Sequence, residues 1–179
     1  MIMKLKITTL FLLCMAFATE AVAGGVYQEP DDFINEVFDN HPPKAEVLWL
    51  DKDLKKQIIK ILDHKYKGLR IRYWRKEKKT VWILDEIGKE KSITSGIVIN
   101  NKRIEQVKVL VFRESRGWEV RHDFFTDQFK QAALKDNNQL DKTIDNISGA
   151  TLSVRAVRKQ AQIALLLDQH IRSKDDDSK

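Results

Sequence analysis

Gly96-Ile97-Val98-Ile99-Asn100-Asn101-Lys102-Arg103-Ile104-Glu105-Gln106-Val107-Lys108-Val109-Leu110-Val111-Phe112 reads as two β-branched runs hinged on a polar turn. Gly96–Ile99 predicts one strand, Asn100-Asn101-Lys102 the turn, and Ile104–Phe112 the returning partner. Strict alternation would set Val107, Val109 and Val111 on one face of that partner. Upstream, Leu69–Trp74 alternates and Thr80–Leu84 follows after a charged turn, predicting another pair of strands. Downstream, the Arg116-Gly117 turn leads into Trp118-Glu119-Val120, read as extended. Phe125, Phe129 and Ala133 recur at helical spacing and predict a helix broken by Asn137-Asn138. Val154, Val157, Ala161 and Leu165 predict a last helix from about Ala150 to Arg172. The expected fold class is α+β, a twisted antiparallel sheet packed against a long C-terminal helix and shorter helices.

The chain has 179 residues, 42% of them apolar, enough for one domain with a real core. Its formal charge of +6 invites a nucleic-acid reading. The basic residues alternate with acidic ones, however, as in Arg75-Lys76-Glu77-Lys78-Lys79, and this pattern points to a solvated mixed-charge surface without nucleic acid. Lys4 and Lys6, the apolar stretch Ile7–Ala18 and the A-x-A site Ala21-Val22-Ala23 predict a signal peptide over residues 1–23. The protein is then expected in the periplasm or another extracytoplasmic space, or anchored in the membrane if the leader is kept. The only cysteine, Cys14, falls in that leader and lacks the small residue that precedes a lipobox cysteine. A mature chain without thiols excludes disulfides, iron–sulfur clusters and Cys nucleophiles, so redox chemistry must come from a bound cofactor. Residues 24–68 hold all three prolines and a helical pattern through Leu54, Ile58, Ile61 and Leu62, predicting an N-terminal helical extension. Residues 69–173 form the predicted main domain, and 174–179 an acidic solvated tail.

The chemistry concentrates at Asp145-Asn146-Ile147-Ser148-Gly149-Ala150-Thr151-Leu152-Ser153, where the last helix opens. Glycine lets the backbone turn tightly and approach a ligand. The first turn of a helix offers unpaired N–H donors and the positive end of a dipole, which suit a phosphate. A hydroxyl at Thr151 stands where a phosphoryl group can be bonded or esterified. The same residues also suit a plain capping turn, since Ser and Thr favour helix N-termini. None of the four histidines, His41, His64, His122 and His170, has metal-ligand spacing. No P-loop, G-x-G-x-x-G or G-x-S-x-G motif is present. No metal ligand or independent catalytic residue is assigned.

The segment Asp145–Ser153 resembles the D-x-x-S-G-A-T-x-S motif of FMN-binding domains that carry flavin as a phosphoester on the Thr. Such domains occur in FMN-bearing subunits of the Rnf and sodium-pumping NADH:quinone reductase complexes and in small periplasmic flavoproteins. The order hairpin, aromatic segment, motif over Thr94–Ile171 is similar to that family. The resemblance implies FMN on Thr151, joined by a Mg²⁺-dependent flavin transferase with FAD as donor and Asp145 as the recognised acid. Ser148, Gly149 and Ala150 would shape the approach, with Ser153 a nearby second hydroxyl. Arg155 and Arg158 are candidate phosphate partners, and Glu114 and Trp118 candidates near the ring. Each also has a plainer reading, as solvated charge for the arginines, surface pairing with Arg113 or Arg116 for Glu114, and packing for Trp118. Phe124, Phe125 and Phe129 are read as core first. In one departure, the respiratory-complex subunits have a Pro-Gly element after the acid of the long strand, where this chain reads Glu114-Ser115-Arg116-Gly117. The implied function is an exported electron-transfer flavoprotein, rather than an independent catalyst, serving a membrane or periplasmic redox partner. A non-covalent FMN-binding redox sensor or regulatory module of a membrane partner is the alternative.

Overall fold

The computed structural model describes residues 25–177, so the predicted leader with Cys14 lies outside the described residues. The elements are β1 (Gly25–Val26), α1 (Pro30–Val37), β2 (Glu46–Trp49), α2 (Lys52–Leu62), β3 (Arg70–Lys76), β4 (Lys79–Ile87), β5 (Ser92–Asn100) and β6 (Arg103–Phe112). Short helical turns follow at Trp118–Arg121, Asp123–Thr126 (α3) and Asp127–Phe129, and then the long α4 (Thr151–Asp177). The strands form one antiparallel sheet in the order β1-β6-β5-β4-β3-β2, an α+β architecture.

The β5–β6 hairpin turns on Asn101 and Lys102, both at positive φ (51° and 65°), as a two-residue type I′ turn requires. Register then slips twice along the pair. Thr94 faces Val111 while Ser95 faces Val109, so Leu110 is an extra residue, and Glu105 is extra in the same way farther back. These bulges correct the simple alternation expected for β6. Val107 and Val109 face the main core, but Val111, beyond the bulge, joins Leu110 on the opposite face. The bulged Leu110 carbonyl accepts the N–H groups of Tyr27 (2.8 Å) and Gln28 (3.2 Å), which fastens β1 to the sheet edge.

Helices cover both faces. On one, α4 and α2 bury Leu54, Ile58, Val154, Val157, Ala161 and Leu165 against Trp82, Ile97, Ile99 and Val107. On the other, Phe33, Ile34 and Phe38 of α1 pack on Val81, Val98 and Leu110. Gly96 makes room there, because a Cβ at that position would stand 2.3 Å from the Phe33 ring. The segment read as a helical extension therefore supplies two helices and also both edge strands. The polar center of the core is Asp168, fully buried, which accepts from Thr80 Oγ1 (2.7 Å) and from Arg172 Nε and Nη2 (2.8 and 2.9 Å). Gln160 spans α4 to the sheet, donating to the Leu84 and Ile93 carbonyls (2.8 and 2.7 Å) and accepting from Ser95 Oγ (2.7 Å).

Two other expectations change. The aromatic segment is no continuous helix, because His122 (ψ 149°) and Lys130 (ψ 131°) take extended backbone and break it into single turns. Phe125 and Phe129 keep their i, i+4 meeting, edge to face at 5.4 Å and fully buried. Trp118 sits in the first of these turns and not in a strand. At the C-terminus, α4 runs on through Asp177, past the start of the expected tail, and Asp175 pairs with Arg75 across to β3. No helix among the described residues is long and apolar enough to cross a membrane.

Candidate functional site

The turn before α4 is built by glycine. Ala150 N–H donates to the Ile147 carbonyl (2.9 Å), closing a β-turn whose third residue, Gly149, has φ +81°. A third residue at positive φ marks a type II turn and favours glycine. Around Gly149 there is open space, with no heavy atom within 4 Å of a Cβ placed there. Val154 N–H donates to the Ala150 carbonyl (2.9 Å), which makes Ala150 the N-cap residue. Alanine has no side-chain oxygen to cap with, so the first-turn donors of Thr151, Leu152 and Ser153 are left for an external acceptor. Thr151 is exposed, whereas Ser153 is 4% exposed. Burial thus distinguishes these two residues, and of the pair only Thr151 is exposed.

A cleft of about 540 Å³ lies against this turn, lined by Lys89, Glu114, Ser115, Arg116 and Gly149–Ser153. Its opposite wall is the loop after β6 and the β4–β5 turn, and two contacts lock these pieces together. Glu114 Oε1 accepts the backbone N–H groups of Lys89 (2.5 Å), Glu90 (2.6 Å) and Lys91 (2.9 Å). Burial opposes ionisation of Glu114, but the three N–H donors and the nearby Lys89 outweigh it and hold its carboxyl below the usual carboxylate range. Gly117, at φ +86°, presses on the start of α4, where a Cβ would stand 2.4 Å from Ser153 Oγ and 3.4 Å from Ala150 Cβ. A larger cleft of about 760 Å³ lies between β3 and β4, where their pairing stops at Tyr73 and Trp82, and none of its lining residues belongs to the turn.

The structure distributes the sequence candidates unevenly. Ser148, Gly149, Ala150, Thr151 and Ser153 come together at the turn, and all but Ser148 line the cleft. Glu114 lines it too, but its carboxylate grips backbone N–H groups and pairs with neither Arg113 nor Arg116. Asp145 and Arg155 are exposed and outside the cleft wall. The Asp145 N–H is held by Gln128 Oε1 at 2.7 Å. Trp118 is half-buried outside the wall, with Arg121 over its ring at 5.0 Å and His122 edge-on at 5.4 Å. Phe124 is 62% exposed, which corrects its reading as core. Sequence reasoning missed Lys89, Ser115, Arg116 and Leu152 as wall residues. Lys89 comes from a turn 25 positions before Glu114 and gave no local signal.

Comparison with known families now bears on this geometry. Residues 88–166 match the model of the FMN-binding domain. This part of the chain belongs to that family. The match begins at the β4–β5 turn that Glu114 holds and ends within α4, so it takes in the whole wall of the cleft. Comparison with curated proteins gives no significant match. The FMN-binding domain therefore has its cleft, its hydroxyl and its uncapped helix start at one place.

Proposed function

We propose that the protein is an exported electron-transfer flavoprotein carrying FMN as a phosphoester on Thr151. The single observation that carries this reading is Thr151 itself, exposed at an uncapped helix N-terminus and lining a cleft inside an FMN-binding domain. In attachment, Thr151 Oγ1 loses its proton and takes the place of AMP on the flavin phosphate of FAD, with a Mg²⁺-dependent transferase as catalyst. Gly149 leaves open space beside the turn, and Asp145, exposed on the segment leading into it, would be the acid that enzyme reads. The resulting diester bears one negative charge at the helix start, where the dipole contributes about 0.3–1 kcal/mol. So small a contribution favours a covalent tether for a cofactor facing an open extracytoplasmic volume. Once bound, FMN supplies reversible uptake of electrons, which pass to a membrane or periplasmic redox partner. The chain's part is to hold the phosphate end, wall the ring and set the local charge.

Mass spectrometry of protein co-expressed with a flavin transferase tests this. An increment of FMN minus water on the peptide containing Thr151 is the expected result, lost in Thr151→Val. Flavin retained by the Val variant after denaturation and filtration would overturn attachment at Thr151, and loss of all flavin from the wild type under the same treatment would overturn covalent attachment. Flavin held only by the native Val variant would favour the non-covalent sensor.

A further inference from the structure

We infer that Arg116, an exposed cation on the wall of the Thr151 cleft, tunes the flavin by favouring its negatively charged reduced form. This rests on the FMN reading above. The charged side chains on the cleft wall are Lys89, Glu114 and Arg116. Glu114 is buried, and its Oε1 is committed to three N–H donors of the Lys89–Lys91 turn. Its charge acts on Lys89, and it forms no ion pair with Arg116. Lys89 is shared with Glu90 at 3.2 Å, with both side chains about 70% exposed. Such a surface pair is weak and easily broken. Arg116 is exposed and has no ion-pair partner among the described residues.

Its neighbours on the same stretch point elsewhere. Arg113 donates to Thr94 Oγ1 (2.9 Å) and Ser92 Oγ (3.1 Å) and lies 3.8 Å from Asp85, which takes it off the cleft. Arg155 and Arg158 are exposed on α4 outside the wall. The backbone that carries Arg116 is pinned on both sides. Glu114 anchors it to the β4–β5 turn, and Gly117 is wedged against Ser153 and Ala150. Arg116 thus lines the cleft from a backbone held on both sides.

Uptake of two electrons and one proton by an oxidised, neutral flavin ring leaves it with one negative charge. A cation held at the wall stabilises that product more than the starting ring, and so raises the potential at which electrons are accepted. Because Arg116 is exposed, the effect must be screened by salt.

The test uses full-length protein co-expressed with a flavin transferase, as wild type, Arg116→Gln and Arg116→Lys. Spectroelectrochemical titration with dithionite as electron donor reads the midpoint potential. Salt is varied from about 0.01 M to about 1 M, where the screening length falls from ~30 Å to ~3 Å. The midpoint of Arg116→Gln is expected below that of wild type, with a gap that narrows as salt rises, and Arg116→Lys is expected close to wild type. A midpoint in Arg116→Gln equal to wild type would overturn the inference. So would Arg116→Lys falling as low as Gln, or a gap that ignores salt. Intact mass on the same samples separates the two levels. FMN on Thr151 with unmoved potentials refutes only the role of Arg116, whereas wild type without FMN refutes both it and the proposed function.

Discussion

Replacing Glu114 should loosen the cleft through its far wall, and the size of the effect follows from the contacts. One carboxylate oxygen holds three backbone N–H groups, at 2.5, 2.6 and 2.9 Å. A hydrogen bond to a charged group contributes about 1.5–3 kcal/mol, but three sharing one oxygen do not add in full. The donors belong to an exposed turn, so water takes over part of their bonding in the variant. Glu114→Ala is therefore expected to cost about 2–3 kcal/mol, and Glu114→Gln, which keeps an oxygen acceptor, about 1–1.5 kcal/mol. At ~2–4 °C per kcal/mol for a chain of this size, the Ala variant should melt about 4–12 °C lower. The pH dependence has a definite sign. The folded pKa of Glu114 is depressed, so its contribution is complete above the unfolded value of about 4.3 and is lost as pH falls through the lower folded value. Urea unfolding of the flavin-free Thr151→Val chain, with and without Glu114→Ala, at neutral pH and again in acid, measures this directly. A cost below about 0.5 kcal/mol at neutral pH, or a cost that persists undiminished in strong acid, would refute the reasoning.

Four further outcomes are expected. Gly149→Ala should cost only about 1–2 kcal/mol for its left-handed backbone, because open space surrounds it, whereas Gly117→Ala should cost more, since its Cβ also meets Ser153 Oγ at 2.4 Å. Paired unfolding curves check that order. Asp168→Ala should destabilise by about 3–5 kcal/mol by stranding Arg172 and Thr80, read as a fall in the urea midpoint with little change in slope. His64 donates to the Lys65 carbonyl and meets Glu86 at 3.1 Å, contacts that raise its pKa despite opposing burial. Its contribution, under about 1 kcal/mol for a side chain 42% exposed, is therefore present below about pH 6.5 and lost as pH rises through the folded value. His64→Gln should flatten that part of the stability–pH curve. Gly96→Leu should disrupt packing of α1, since even a Cβ would overlap Phe33, and circular dichroism with thermal melting reports it.

The sequence by itself determined the parts whose signal is local. Alternation along 96–112 was enough for the central hairpin, and the run from Val154 to Leu165 for α4. The residues 148–151 announced the turn and its hydroxyl, because a positive-φ glycine next to a helix start is a short-range requirement. Tertiary structure alone decided what depends on distant segments. Bulges at Leu110 and Glu105 moved Val111 to the other face, and β1 and β2 closed the sheet edges through pairings invisible to periodicity. The aromatic spacing of Phe125 and Phe129 survived while the helix it implied did not, since burial fixed the rings and extended backbone at His122 and Lys130 cut the turns. The cleft is the clearest case. Its hydroxyl is written at position 151, yet its far wall arises only when Glu114 captures the Lys89–Lys91 backbone and Gly117 meets Ser153, contacts between residues 23–36 positions apart that no local pattern encodes.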